Sequence, residues 1–221
     1  MNYLKIDKED VCNGEGLRVV LWLSGCSHRC KGCQNPQTWD ANSGIPFDES
    51  AKEELFRELD KDYISGLTLT GGDPLFESNL DGVLDLVTEV NKRYNTVQDT
   101  AYVKDKNNNI LTDFSHEIRL SSPQKSIWIY SGFVWENIFD KTLENIMDDG
   151  VPGLSLIEEC ERTIQMTNMR KKIISQCNIL IDGRYIESQR DISLPYRGSS
   201  NQRLIDIQQS LQKGEIVLWQ I

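Results

Sequence analysis

The order of the chain predicts an α/β protein with a mostly parallel sheet or partial barrel. Short apolar, β-branched runs recur, and each stops at a glycine or aspartate: Arg18–Leu23 (RVVLWL), Gly66–Thr70 (GLTLT), Ser126–Ser131 (SIWIYS) and Asn178–Ile181 (NILI). Amphipathic stretches of helical period lie between them. The unusual residues follow directly after the first two runs, and in open α/β sheets that strand end is where ligands sit.

Each element has its own warrant. Asn13-Gly14-Glu15-Gly16 is turn-like, and RVVLWL then reads as a buried strand ending at Gly25. Asn35-Pro36 and Asn42-Ser43-Gly44 predict an irregular loop. Asp48–Lys61 predicts a helix with Ala51, Leu55 and Leu59 on one face. GLTLT runs into Gly71-Gly72-Asp73-Pro74, which cannot continue a strand. Ser78–Tyr94 carries the clearest helical stripe, formed by Leu80, Val83, Leu84, Val87, Val90 and Tyr94. Ser78-x-x-Asp81 resembles a capping box. Thr96–Gln124 is polar around Asn107-Asn108-Asn109. It is read either as a protruding hairpin, with Tyr102-Val103 and Ile110-Leu111 flanking the turn, or as a disordered loop.

Beyond the third strand, Val134–Met147 predicts a helix, and a second helical stretch surrounds Leu156, Ile157, Cys160 and Ile164. Pro195–Ser200 is a loop, Leu204–Leu211 a short helix stopped at Gly214, and Ile216–Trp219 a closing strand. Trp22, Trp39 and Trp128 are assigned to the core. The 221 residues predict one domain spanning 1–221, with insertions at about 96–124 and 149–175.

Composition narrows the function classes. Apolar content of 38% and charged content of 26% are those of a globular, soluble chain. A formal net charge of −10 argues against gripping a nucleic-acid backbone or an anionic membrane surface. No apolar run reaches the roughly 20 residues of a membrane span. The first residues lack a signal-peptide core, so the expected location is the cytoplasm, where clustered cysteines stay reduced.

Three of the six cysteines, Cys26, Cys30 and Cys33, fall within eight residues at the spacing C-x3-C-x2-C. Thiolates at such spacing are iron–sulfur ligands, and three of them would leave one iron of a cube open for a ligand. A zinc knot needs four ligands. His28 could complete it only from inside the same loop, where a tetrahedron closes poorly, so the cluster reading outweighs zinc. Cys12, Cys160 and Cys177 are scattered and are read as buried thiols rather than ligands. Gly72 has no β-carbon to keep a ligand from the backbone.

With Gly71-Gly72-Asp73-Pro74 at the next strand end, this motif resembles the radical S-adenosylmethionine superfamily. Further stretches are similar to its branch of anaerobic ribonucleotide reductase activases: Asn13-Gly14-x-Gly16-x-Arg18, Cys33-x-Asn35-x-x-Thr38-Trp39, Thr68–Leu75, Asp182-Gly183-x-Tyr185 and Arg197-Gly198-Ser199-x-Asn201-Gln202-Arg203. The likeness covers Met1 to about Tyr94, Ile127–Phe139 and Asn178–Asp206. Gly32 stands where many superfamily members carry an aromatic residue. Gln34 stands where this branch often has tyrosine.

The resemblance implies a partial (βα) barrel of the radical S-adenosylmethionine type. It implies one 4Fe-4S cluster on Cys26, Cys30 and Cys33, and S-adenosylmethionine held by Gly71, Gly72 and Asp73, with Gly32, Cys33 and Gln34 beside the adenine. One electron from the cluster would cleave the sulfonium, and the resulting radical would take a hydrogen from a glycine of the reductase's large subunit. A flavodoxin- or ferredoxin-type protein would supply the electron. No catalytic acid or base beyond the cluster and its ligands is implied, and His28 tunes or shields the cluster. Rim residues Asp182–Tyr185 and Arg197–Ser199 contact nucleoside or partner, or are ordinary turns. Two alternatives remain: a radical S-adenosylmethionine enzyme acting on a small molecule, such as a ring-forming synthase, and a non-catalytic iron–sulfur or zinc module.

Overall fold

A computed structural model describes residues 1–104, 110–119, 124–139 and 155–220. Its main sheet has seven strands: β1 (Asn2–Asp10), β2 (Leu17–Leu23), β3 (Ile45–Pro46), β4 (Ile64–Gly71), β7 (Ser126–Ser131), β8 (Ile179–Asp182) and β9 (Arg203–Asp206). They lie in the order β3-β1-β2-β4-β7-β8-β9. The four middle strands, β2, β4, β7 and β8, are mutually parallel; β1 and β9 run antiparallel to them, and the two-residue edge strand β3 pairs antiparallel with β1. The sheet is open, with β3 and β9 at its edges, so no closed barrel forms.

Four of the five strands predicted for the main sheet are the four parallel ones, since their apolar runs answer to burial on both faces. The antiparallel flanks escaped the sequence reading. In β1 the pattern is broken by register shifts between Tyr3 and Lys5 and between Asp7 and Asp10. Leu204 and Ile205 had been assigned to a helix but form β9, pairing with Ile181 and Leu180. The helix is α5 (Ile207–Lys213), capped by the Asp206 carboxylate at its start and by left-handed Gly214 at its end. The expected strand Ile216–Trp219 reduces to a single bridge, Leu218 to Ile205.

Helices α1 (Glu49–Leu59), α2 (Leu80–Tyr94), α3 (Trp135–Phe139) and α4 (Ser155–Ile174) connect the strands. The Asp48 side chain caps α1 by accepting from Ala51 N at 3.0 Å. The expected capping box on α2 is absent: Ser78 lies in a 3₁₀ turn, Glu77–Asn79, that precedes the helix. Of the predicted helix Val134–Met147, the part beyond Phe139 lies outside the described residues. So does the turn at Asn107-Asn108-Asn109. Helix α4 leads from α3 toward β8 and packs against α2, with Ile173 and Ile174 fully buried.

Strand alternation divides the core into two faces. Val19, Leu21, Leu23, Leu67, Leu69, Ile127, Ile129 and Leu180 pack beneath the helices. Trp128, Ile179, Ile181 and Leu204 face the other way, covered by Tyr130, Tyr196 and Trp219. Arg18 is fully buried on that second face. Its guanidinium donates to Thr68 Oγ1 (2.7 Å), Leu67 O (2.7 Å) and Ser126 O (2.8 Å), tying β2, β4 and β7 together without a carboxylate. Burial holds its pKa down, to about 9.

The segment 96–124 contains β5 (Thr96–Lys104) and β6 (Ile110–Arg119), paired antiparallel as a separate two-stranded hairpin. It leaves the fold between the end of α2 and the start of β7. At its base the Asn95 side chain donates to Lys125 O (3.0 Å) and accepts from Lys125 N (3.1 Å). That base lies at the end of the sheet opposite the ends of β2 and β4.

Candidate cluster and cofactor site

Parallel pairing puts the functional strand ends on one rim. Leu23 of β2 stands opposite Gly71 of β4, and Ser131 of β7 opposite Asp182 of β8. The cysteine loop leaves from Leu23, and the Gly71–Pro74 turn leaves from β4 beside it.

Main-chain bonds lock loop and turn together. Gly72 N donates to Leu23 O and Asp73 N to Gly25 O, both at 2.8 Å. Gly25 N and Cys26 N donate to the carbonyls of Thr38 and Trp39, at 2.8 and 3.1 Å. The buried Asn79 amide bridges the carbonyls of Ser24 (2.8 Å) and Asp73 (3.0 Å), which removes it from capping α2. A β-carbon on Gly72 would meet Gly25 O and stand 2.9 Å from Thr38 O. That glycine is therefore required by the close approach of two backbones of this chain. The loop itself turns through left-handed Gly25, Arg29 and Gly32, and a β-carbon at Gly32 would run into the Glu187 carboxylate.

Cys26, Cys30 and Cys33 are free thiols lining one cleft. Gln34, Asn35, Thr38, Gly71, Gly72, Asp73, Ser131, Gly132, Arg184 and Tyr185 line it as well. Burial raises the Cys26 thiol pKa, with the Asp73 carboxylate adding to it. Burial also raises Cys30, opposed by the Tyr185 backbone N–H and the Arg184 charge. Thiols held protonated in this way become thiolates when a cationic centre engages them. Three soft thiol donors lining one cleft suit a cluster with one thiolate per iron. The donor set fits an iron–sulfur cluster.

Of the three cysteines expected to be buried, Cys177, just beyond α4, is; Cys160 on α4 is half-buried, and Cys12 is exposed because it sits in the surface turn that follows β1. The Cys177 thiol is buried and donates to Ile173 O at 3.3 Å.

Asp73 is only 1% exposed. Its carboxylate accepts from Ser131 Oγ (2.9 and 3.0 Å), Gly132 N (3.0 Å) and Leu75 N (2.8 Å). Its side chain thus joins the end of β4 to the end of β7. His28 Nε2 lies 2.9 Å from the same carboxylate. The contact lacks hydrogen-bond alignment, so that nitrogen has no aligned partner among the described residues. The ring packs edge-on against Phe133, centroids 4.6 Å apart. Arg184 Nε donates to the other nitrogen, Nδ1, at 3.1 Å. Both imidazole nitrogens thus face residues of this chain.

Three aromatic side chains belong to the site although the sequence assigned two to the core and left the third unremarked. Trp22 and Trp39 line the cleft with Tyr130, so of the three tryptophans assigned to the core Trp128 alone is buried there. Trp22 Nε1 donates to Asp7 Oδ2 at 2.7 Å. Trp22 follows Leu21 on the opposite face of β2, as does Tyr130 after Ile129 on β7. Period-two alternation was the signal that could have placed both.

Comparison with known proteins agrees with this geometry. A family model described as a 4Fe-4S single cluster domain matches residues 12–106 and 101–205. The anaerobic ribonucleoside-triphosphate reductase-activating protein of Enterobacteria phage T4 is 33% identical over 204 residues, covering 92% of this chain and 93% of that protein. The protein of that name from Pasteurella multocida (strain Pm70) is 31% identical, over 91% of this chain and 95% of its own. The one from Escherichia coli (strain K12) is 28% identical, over 91% and 96%. The chain belongs to the 4Fe-4S single cluster domain family and, within it, to the anaerobic ribonucleoside-triphosphate reductase-activating proteins.

Proposed function

We propose that this protein activates an anaerobic ribonucleotide reductase by generating a glycyl radical on its large subunit, using a 4Fe-4S cluster and S-adenosylmethionine. The observation that carries the reading is the convergence of three cysteine thiols and the Gly71-Gly72-Asp73 turn on one cleft. Family membership supports it. The open sheet, with helices on one face and the cleft at the strand ends, is read as a partial barrel of the radical S-adenosylmethionine type. The whole chain is read as one domain carrying the hairpin as an insertion.

Cys26, Cys30 and Cys33 would hold three irons, which leaves the fourth for the cofactor. When bound, the cluster and S-adenosylmethionine supply the one-electron chemistry that starts hydrogen removal from a glycine. The chain's own residues position and shield. Gly71 and Gly72 offer backbone groups to the methionine end. The Asp73 carboxylate is engaged by three donors of this chain, the Ser131 hydroxyl and the Gly132 and Leu75 N–H groups, so it serves by fixing that turn. Cys33 and Gln34 would border the adenine side, with Gly32, which faces Glu187 and not the cleft, serving as the turn that presents them, while Trp22, Trp39 and Tyr130 wall the cleft. No side chain needs to act as general acid or base. A flavodoxin- or ferredoxin-type donor in the cytoplasm would reduce the cluster. No helix among the described residues is long and apolar enough to cross a membrane.

The test is anaerobic reconstitution and incubation with the reductase, S-adenosylmethionine and dithionite. About four irons per chain, S-adenosylmethionine cleavage and a glycyl-radical signal in electron paramagnetic resonance are expected. Cleavage without a glycyl radical would leave a small-molecule enzyme. No cleavage at all would leave an electron carrier.

A further inference from the structure

We propose that Arg184 binds the carboxylate of the cleft's ligand, and that His28 positions it. This rests on the reading of the cleft as an S-adenosylmethionine site and adds to it a residue for the ligand's anionic end.

Arg184 is the only lysine or arginine among the residues lining the cleft. The neighbouring negative charge, Asp73, is buried and spent on the chain's own donors. Arg184 is exposed, yet its guanidinium is not loose: Nε donates to His28 Nδ1 at 3.1 Å. Among the described residues, neither of its terminal nitrogens makes a hydrogen bond or ion pair. A guanidinium anchored at Nε with both terminal N–H groups free presents a planar fork, the geometry that takes a carboxylate in two parallel bonds.

His28 is suited to hold it. Its side chain is 7% exposed, wedged between Asp73 and Phe133. Because Nδ1 accepts from Arg184, the ring proton belongs on Nε2, beside Asp73 Oδ2 at 2.9 Å. Gly132 makes room: a β-carbon there would stand 2.7 Å from the ring's Cγ. The residue inside the cysteine motif is therefore fixed by the ends of β4 and β7, and it fixes in turn the cation that follows β8. This gives His28 a task other than iron ligation.

The experiment compares S-adenosylmethionine with its decarboxylated analogue by equilibrium dialysis against reconstituted protein without reductase. In the wild type the carboxylate would favour binding through Arg184, in addition to anything a bound cluster contributes. In Arg184→Gln the preference for S-adenosylmethionine over the analogue should shrink by about 10- to 100-fold, the worth of a charged hydrogen-bonded pair, with iron content unchanged. Arg184→Lys should recover part of the preference. His28→Ala should reduce it by a smaller factor, and His28→Asn, which keeps an acceptor near Nδ1, should restore some. An unchanged preference in Arg184→Gln overturns the proposal. Equal weakening of both ligands also overturns it, since the carboxylate is then not what Arg184 senses. Loss of iron in Arg184→Gln assigns the residue to the cluster instead and likewise overturns it. If wild-type protein holds iron but binds neither ligand, the functional reading itself fails, and this proposal with it.

Discussion

Gly132 and His28 occupy one shared volume: the imidazole of the cysteine loop fills the space where any side chain at position 132 would begin. One strand end has been left bare so that a residue 104 positions earlier in the chain can dock on it. Gly132→Ala should push the ring off Asp73 and Phe133. Overpacking of this kind costs about 1–3 kcal/mol. The urea midpoint of the apoprotein should fall accordingly, and iron retention after desalting should drop. An unchanged midpoint together with full iron would show that the loop does not depend on this contact.

Cys26→Ala, Cys30→Ala and Cys33→Ala should each abolish cluster-dependent S-adenosylmethionine cleavage, while Cys160→Ala should leave it intact. Cys177→Ala should also keep activity, but it removes a fully buried thiol and should lower stability by about 1 kcal/mol. Iron content, cleavage rate and urea midpoint separate the two groups. Wild-type activity in any of the first three variants would sink the ligand assignment.

Arg203 closes the rim beside the site. It meets Glu136 through two bonds of 2.8 Å and donates Nε to Asp182 Oδ1 at 2.9 Å. Its hydrogen bond holds the Glu136 carboxyl below the ordinary carboxylate value. A carboxyl lowered in the folded state stabilises fully above its ordinary value, and the contribution is lost as pH falls through the lowered one. Glu136 is partly exposed, so the effect should stay below about 1 kcal/mol. Wild type should exceed Glu136→Gln in unfolding free energy at neutral pH, and the gap should close as pH falls below the ordinary carboxylate range. A gap that persists in acid would mean that Glu136 contributes by packing rather than by charge.

Replacing Thr96–Gln124 with a short Gly-Ser link should leave uncoupled S-adenosylmethionine cleavage near wild type. The hairpin departs from the far end of the sheet, and the reciprocal Asn95–Lys125 bonds would still close its base. Its length exceeds what a connection between α2 and β7 needs. A role in docking the reductase predicts weaker activation of that partner after deletion. Unchanged activation would refute docking, and lost cleavage would make the segment part of the fold.

Local spacing and periodicity determined much of this protein. The C-x3-C-x2-C loop, the four parallel strands and the Gly-Gly-Asp-Pro turn are written in runs of fewer than ten residues. Hydrophobic runs and punctuating glycines act over that range. Tertiary structure decided what depends on pairing between distant segments. The flanking strands β1 and β9 carry too little pattern to announce themselves, and the openness of the sheet follows from which strands stay at its edges. Gly72 was legible as a special glycine, yet its reason, the approach of the cysteine loop's own backbone, was not. Asp73 was legible as a site residue, but its carboxylate is committed to β7, 58 residues away. Arg184 and His28 stand 156 residues apart, and no local rule couples them. They meet because parallel strands deliver every C-terminal end, and the loop that follows it, to the same rim.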